Sequence, residues 1–116
     1  MNTLTDLIDR YIAAWNETDG NRRRDLIAQT WADGASYLDP MLQGDGRDGI
    51  DAMIAQVQER YPAHRFHRTG EVQSHHDRVR FTWDLRAEQG DAVVRGTDFG
   101  VVTCDHRLKA ITGFFD

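Results

Sequence analysis

One cysteine, two prolines and no long apolar run are what the chain offers, and each scarcity excludes something. Cys104 stands alone, so no intramolecular disulfide can form and a reducing compartment is the simplest setting. No His or Asn can be assigned to it as partner for a thiol nucleophile, and its strand-like context suits a small buried hydrophobe. No stretch reaches the roughly 18 apolar residues that a membrane span needs. The start, Met1-Asn2-Thr3-Leu4-Thr5-Asp6, has no basic segment followed by an apolar run, which argues against a signal peptide. A cytoplasmic protein is expected. Cations are also in deficit: 14 Lys and Arg against 19 Asp and Glu give a formal charge of −5. A nucleic-acid binder gains its affinity by neutralising phosphates, so that class is disfavoured. Arg22-Arg23-Arg24 is the one basic cluster, and within a helix it reads as a solvated face. There is no repeat, linker or low-complexity segment. Residues 1–116 are expected to be one domain, large enough to bury roughly 65% of the unfolded surface.

The segment around which the rest is arranged is Ala35-Ser36-Tyr37-Leu38-Asp39-Pro40, a short strand ending in a carboxylate and stopped by proline. Alternation puts Ala35, Tyr37 and Asp39 on one face. Two helical patterns precede it. Thr3 and Asp6 form a capping signature, and Leu4, Leu7, Ile8, Tyr11, Ile12 and Trp15 recur at helical spacing to about Asn16–Gly20. Asp19 or Asn21 can cap a second helix with Leu26, Ile27, Thr30 and Trp31 inward, and Asp33-Gly34 is a turn signal. After the strand, Gln43 to Gly49 reads as a glycine-rich connector whose Asp48 caps a third helix. Its spacing fits neither a Walker loop nor a dinucleotide fingerprint. Ile50, Met53, Ile54, Val57 and Tyr61 carry that helix, and Pro62 closes it.

From His64 the period becomes two. A strand over His64–Ser74, irregular at Gly70, leads to a hairpin tip at His75-His76-Asp77. Val79, Phe81, Trp83 and Leu85 alternate with polar residues, followed by a turn at Gln89-Gly90-Asp91. A long strand over Ala92–Cys104, a turn at Asp105-His106-Arg107 and a strand over Leu108–Phe115 finish the chain. Three helices followed by hairpin strands mean an α+β fold with one strongly curved mixed sheet around the helices. Gly96, Gly100 and Gly113 suit bends within it.

Asp98 is hard to explain as structure. Val94, Gly96, Asp98, Gly100 and Val102 share one face of the long strand, and Val93, Arg95, Thr97, Phe99 and Val101 the other; parity alone does not say which is concave. The small residues beside Asp98 leave room above it, as a pocket floor would. A carboxylate placed there must be neutral, paired or functional. Asp39 fits either a pocket role or a turn former before Pro40. Tyr11 fits either a buried structural tyrosine or a donor into a pocket. His64 and His67, three apart on a strand, face opposite ways and cannot jointly hold a metal, while His75 and His76 read as solvated. No metal site is expected.

Arg10-Tyr11-Ile12-Ala13-Ala14, Ala35 to Pro40 and Thr97-Asp98-Phe99 resemble three signature segments of the ketosteroid isomerases. More broadly they resemble the SnoaL-like polyketide cyclases of the nuclear-transport-factor-2-like (NTF2-like) superfamily. The likeness runs through nearly the whole chain, with a longer segment between Tyr11 and Asp39. It implies an NTF2-like cone, also described as a cystatin-like α+β barrel, with three N-terminal helices packed in the sheet. It implies Tyr11 and Asp98 as hydrogen-bond donors to an oxyanion and Asp39 as general base. Trp15, Tyr37, Met53, Trp83 and Phe115 are the expected substrate contacts, with His64 or His67 as further polar groups. The expected function is cofactor-free proton transfer adjacent to a carbonyl of a small, largely apolar substrate, by an isomerase or by a lyase of the cyclase or dehydratase type. An epoxide-hydrolase variant would need an arginine between two acids, and Arg95 lies on the strand face opposite Asp98. The alternative class is a non-catalytic module binding a small ligand or a protein through the face with Arg95, Thr97, Phe99 and Val101. That same face is the expected homodimer contact, since Phe99 and Val101 would otherwise be exposed.

Overall fold

A computed structural model describes residues 3–116; of the start read above as lacking signal-peptide character, Met1 and Asn2 lie outside them. The capping signature is realised at the first helix, α1 (Leu4–Asn16). Thr3 Oγ1 accepts from Asp6 N at 3.1 Å, and Asp6 Oδ2 accepts from Thr3 N at 3.2 Å. The apolar stripe buries Leu7, Ile8, Tyr11, Ala14 and Trp15. Asp19 caps α2 (Gly20–Thr30) through the amides of Asn21 and Arg22. The basic run lies on this helix, and Arg23 departs from the solvated reading. It is buried and reaches Asp51 at 2.6 Å, Glu17 O at 3.0 Å and Gln58 Oε1 at 3.1 Å. A charge that deep is tolerable only with such partners, and here they tie all three helices together.

Trp31, expected on the inner face of the second helix, instead opens strand β1 (Trp31–Leu38) and is fully buried. Gly34 takes φ +74° inside this strand, where its register with the last strand slips between Trp31 and Ser36. The expected turn at Asp33-Gly34 is therefore an irregularity within β1, and Asp39 falls one residue beyond the strand's end. The expected connector after Pro40 contains a short strand, β2 (Gln43–Asp45), antiparallel to β1. Gly46, at φ +70°, turns the chain from β2 into α3 (Gly46–Arg60). The helix thus begins before Asp48, whose carboxylate sits in the first turn, where the helix dipole favours it, and not at the cap.

Four more strands follow: β3 (His64–His75), β4 (Arg78–Ala87), β5 (Val94–Val102) and β6 (Leu108–Phe115). The irregularity expected at Gly70 is there, at φ +89° with a register shift between Thr69 and Gln73. On β4, Val79, Phe81, Trp83 and Leu85 are buried in alternation. β5 is shorter than the sequence suggested. Thr103 and Arg107 close the turn after it, with Thr103 N donating to Arg107 O at 2.7 Å, so Cys104 lies in the turn and is exposed, not a buried hydrophobe.

The strand order is β2-β1-β6-β5-β4-β3, antiparallel except for the parallel pair β1–β6. α1 packs on β3 at one side of this open mixed sheet and α3 on β1 and β2 at the other, so the sheet curls around the helices. Parity on β5 is now settled: Gly96, Asp98, Gly100 and Val102 face the interior, and Phe99 faces out at 42% exposure. None of the helices of the described residues is long and apolar enough to cross a membrane.

Candidate active site

A cavity of about 380 Å³ opens between α1, the end of α3 and the concave face of the sheet, within the usual range for small-ligand sites. Its polar groups include two tyrosine–carboxylate pairs, and Arg60, Tyr61, Asp116 and Arg95, the last expected on the strand face opposite Asp98, also line it. α1 presents Tyr11 from its buried stripe, and the Tyr11 hydroxyl donates to Asp98 Oδ2 at 2.7 Å across 87 residues of sequence. The Trp83 indole donates to Asp98 Oδ1 at 3.0 Å from the neighbouring strand β4. Asp98 is only 2% exposed. The second pair is local. Tyr37 donates to Asp39 Oδ2 at 2.6 Å, and the amides of Met41 and Leu42 both donate to Asp39 Oδ1 at 2.8 Å. The last two bonds make the turn expected before Pro40. Asp39 is thus both a turn former and a cavity-lining carboxylate.

Glycines bring these groups together. A Cβ at Gly113 on β6 would lie 2.8 Å from Asp98 Oδ1, 3.2 Å from Asp39 Cβ and 3.3 Å from the Tyr37 hydroxyl. The two pairs meet over that bare backbone. A Cβ at Gly96 would come within 2.3 Å of Trp83 Cζ2, so glycine there lets the indole lie flat on β5 and reach Asp98. The rings hold one another in place: Trp83 makes edge contacts with Phe66 and Phe115, and Trp15 with Tyr37.

Burial disfavours charge in this place. Desolvation raises the Asp98 carboxyl from 3.8 to about 6, against the lowering effect of the Tyr11 and Trp83 hydrogen bonds, with the nearby Asp39 charge adding to the rise. Tyr11 is pushed well above its ordinary value by burial first and by the Asp98 charge next. Tyr37 is raised for the same reasons, with its bond to Asp39 contributing. Both phenols therefore stay protonated and act as donors near neutrality.

Of the residues expected at the site, Tyr11, Asp39 and Asp98 lie together on the cavity wall, and Trp15, Tyr37, Trp83 and Phe115 line it. Met53 does not: it is buried in the core, and Val57, one turn further along α3, lines the cavity in its stead. His64 and His67 are also outside it; His64 Nδ1 lies 2.9 Å from Pro62 O, and His67 lies 3.6 Å from Asp84. Sequence reasoning missed Phe66, which lines the cavity and pairs in register with Leu85, on the inward face that Trp83 shares. Continuing the β4 alternation across the hairpin would have found it. Among the described residues, no group of three His, Cys, Asp or Glu side chains could hold a metal ion.

Three helices under an open, curled six-stranded sheet with a polar-floored cavity define the NTF2-like class of α+β domain. Within that class the chain belongs to the SnoaL-like domain family, which it matches over residues 8–111. The structure of a candidate isomerase of the SnoaL-like family from Agrobacterium tumefaciens is 39% identical. That match covers 100% of this chain and 99% of that one with a TM-score of 0.93. Two more distant structures share the fold. A candidate SnoaL-like polyketide cyclase from Jannaschia is 18% identical, over 97% of this chain and 86% of that one, with a TM-score of 0.72. A protein with a ketosteroid isomerase-like fold from Catenulispora acidiphila, in complex with trimethylamine, is 15% identical. It covers 98% of this chain and 88% of its own, with a TM-score of 0.77. No protein of curated function matches the chain.

Proposed function

We propose that this protein is a cofactor-free enzyme that moves a proton next to a carbonyl group of a small, largely apolar molecule, as an isomerase or a lyase of the cyclase or dehydratase type. The observation that carries the reading is the meeting of two buried tyrosine–carboxylate pairs over Gly113, inside a cavity walled by aromatic rings. Asp39 is the base. Its Oδ1 is saturated by two amides, whereas Oδ2 accepts only from Tyr37 and has capacity left for a proton taken from carbon. Tyr11 and Asp98 steady the negative charge that develops on the carbonyl oxygen. The proton then returns from Asp39 to another carbon or to a leaving hydroxyl. The similarity to a candidate isomerase over the whole chain supports the same class.

The test is a fluorescence titration with naphthols of graded acidity, which imitate an enolate oxygen without needing the true substrate. Binding should strengthen with ligand acidity in the wild type, and Tyr11→Phe should flatten that trend. If naphthols do not bind, or Tyr11→Phe leaves the trend intact, the catalytic reading falls.

One observation favours a second reading, a non-catalytic binding module: the two amides hold Asp39 as a turn former, a role that needs no chemistry. Retained naphthol binding with no turnover of any carbonyl compound in a substrate screen would select it.

In either case we infer a cytoplasmic homodimer joined through the convex face of the sheet. Phe99 and Phe114 stack edge to face there at 5.8 Å, 42% and 54% exposed. A monomer in sedimentation at high micromolar concentration would overturn the dimer.

A further inference from the structure

We propose that the cavity takes a ligand that is apolar in its body and anionic at one end, with a carboxylate held at the mouth by Arg60 and Arg95 while the carbonyl lies on the floor. This names a substrate class for the oxyanion reading above and rests on it for the ligand's orientation. The cavity is graded in charge from floor to mouth. Asp98 and Asp39, 2% and 8% exposed, lie deep in it and are held there by the two tyrosines. Met41 and Val93 line the same cavity at 68% and 54% exposure, and so mark its mouth. Arg60, the last residue of α3, and Arg95, two residues past Val93 on β5, are the exposed cations of that lining. Between floor and mouth the wall is aromatic, with Trp15, Phe66, Trp83 and Phe115.

Neither arginine is used by the fold. Arg23, Arg68 and Arg107, by contrast, each reach a carboxylate at 2.6 to 2.8 Å. Arg95 is in register with Asp84 across β4 and β5, but Asp84 is taken by Arg86 at 3.4 Å and by His67 at 3.6 Å. Asp116 is the one further acid that lines the cavity. Its carboxylate accepts from the Thr97 hydroxyl at 3.1 Å, and only its amide meets Arg95, donating to the carbonyl oxygen at 3.0 Å. Among the described residues, Arg60 and Arg95 enter no ion pair and donate no side-chain hydrogen bond. Two free guanidinium groups outweigh one carboxylate at the mouth, in a chain whose formal charge is −5. A guanidinium offers its donors in a fork that matches a carboxylate. An apolar wall focuses that field along the cavity.

Three fluorescent ligands test this at pH 7: 2-naphthol, 6-hydroxy-2-naphthoate, which adds a carboxylate at the far end of the rings, and 2-naphthoate, which lacks the hydroxyl. The wild type should bind 6-hydroxy-2-naphthoate about five-fold more tightly than 2-naphthol at low salt, and added salt should shrink that advantage. In the double variant Arg60→Gln, Arg95→Gln the ratio of the two affinities should fall to about one, with each single variant in between. Both side chains are exposed, so circular dichroism should show the fold retained. A ratio of one in the wild type would overturn the proposal, as would an advantage that survives both substitutions. So would a wild type that binds none of the three ligands. Failure of the oxyanion reading looks different: both naphthoates bind in dependence on the arginines, and Tyr11→Phe changes neither.

Discussion

Tyr37–Asp39 and Tyr11–Asp98 are chemically the same pair, placed on one cavity wall by opposite means. The first is made within two residues, at the end of one strand, and its carboxylate also receives two backbone amides. The second joins a helix and a strand 87 residues apart, and its carboxylate receives only side-chain donors. Local backbone donors hold the Asp39 side chain wherever the turn forms. Asp98 depends on tertiary packing, and burial outweighs its two hydrogen bonds enough to lift its carboxyl to about 6. The sequence separation shows in where the hydrogen bonds come from: the backbone and a neighbouring side chain for Asp39, side chains on α1 and β4 for Asp98.

Asp98→Asn breaks the comparison most strongly. The folded carboxyl titrates near 6 and the unfolded one near 3.8, so the native state holds the proton more tightly between those values. Stability contributed by neutral Asp98 is therefore complete below about pH 4 and lost as pH rises through about 6, on the order of 3 kcal/mol. Asparagine mimics the neutral acid with its NH₂ toward Tyr11. In urea unfolding the variant should exceed the wild type at pH 7 by up to that amount and match it near pH 4. A constant difference across that range would remove the burial argument.

Gly113→Ala should cost about 2 kcal/mol, because the new methyl meets Asp98 Oδ1, Asp39 Cβ and the Tyr37 hydroxyl at once. It should also abolish naphthol binding. Stability within a few tenths of a kcal/mol of the wild type would mean that the pairs are not in register over that residue. Tyr37→Phe should cost about 1 kcal/mol. Asp39 keeps both amides, so urea unfolding should show the loss of that one bond and a cost well below that of Gly113→Ala. The smallest expected change is in Tyr11→Phe, followed by NMR of the Asp98 carboxyl. Loss of a donor to the anion should move the midpoint above 6, and a downward movement would contradict the assigned direction of that bond.

This contrast also explains what was legible in the sequence. Signals carried by neighbouring residues translated directly: the Thr3–Asp6 box, the Asp19 cap, the β4 alternation and the turn before Pro40. So did the inward Tyr11, since helical period fixes which face is buried. What failed needed a partner far along the chain. Arg23 looked solvated because Asp51 and Gln58 lie on another helix, and Gln43–Asp45 looked like a loop because only pairing with β1 makes it a strand. Met53 and Val57 share one helical face, and periodicity cannot say which of them faces a cavity and which faces core. The Trp83–Asp98 bond left no local trace beyond Gly96, whose absent side chain pointed to a bend and in fact clears space for a ring.

The position of β6 in the sheet has a consequence for how the molecule assembles. The last strand in chain order lies between the first long strand and β5, and it alone joins β2 and β1 to the other half of the sheet. Until β6 arrives, β1 has no parallel partner and the two halves are held only through the helices. A ribosome-bound chain lacking these residues would present open strand edges, prone to mispairing. Folding should wait on this one long-range insertion and be slow for a domain of this size. Gly113 comes in with the same strand, so the cavity floor and the finished sheet are completed in a single late step.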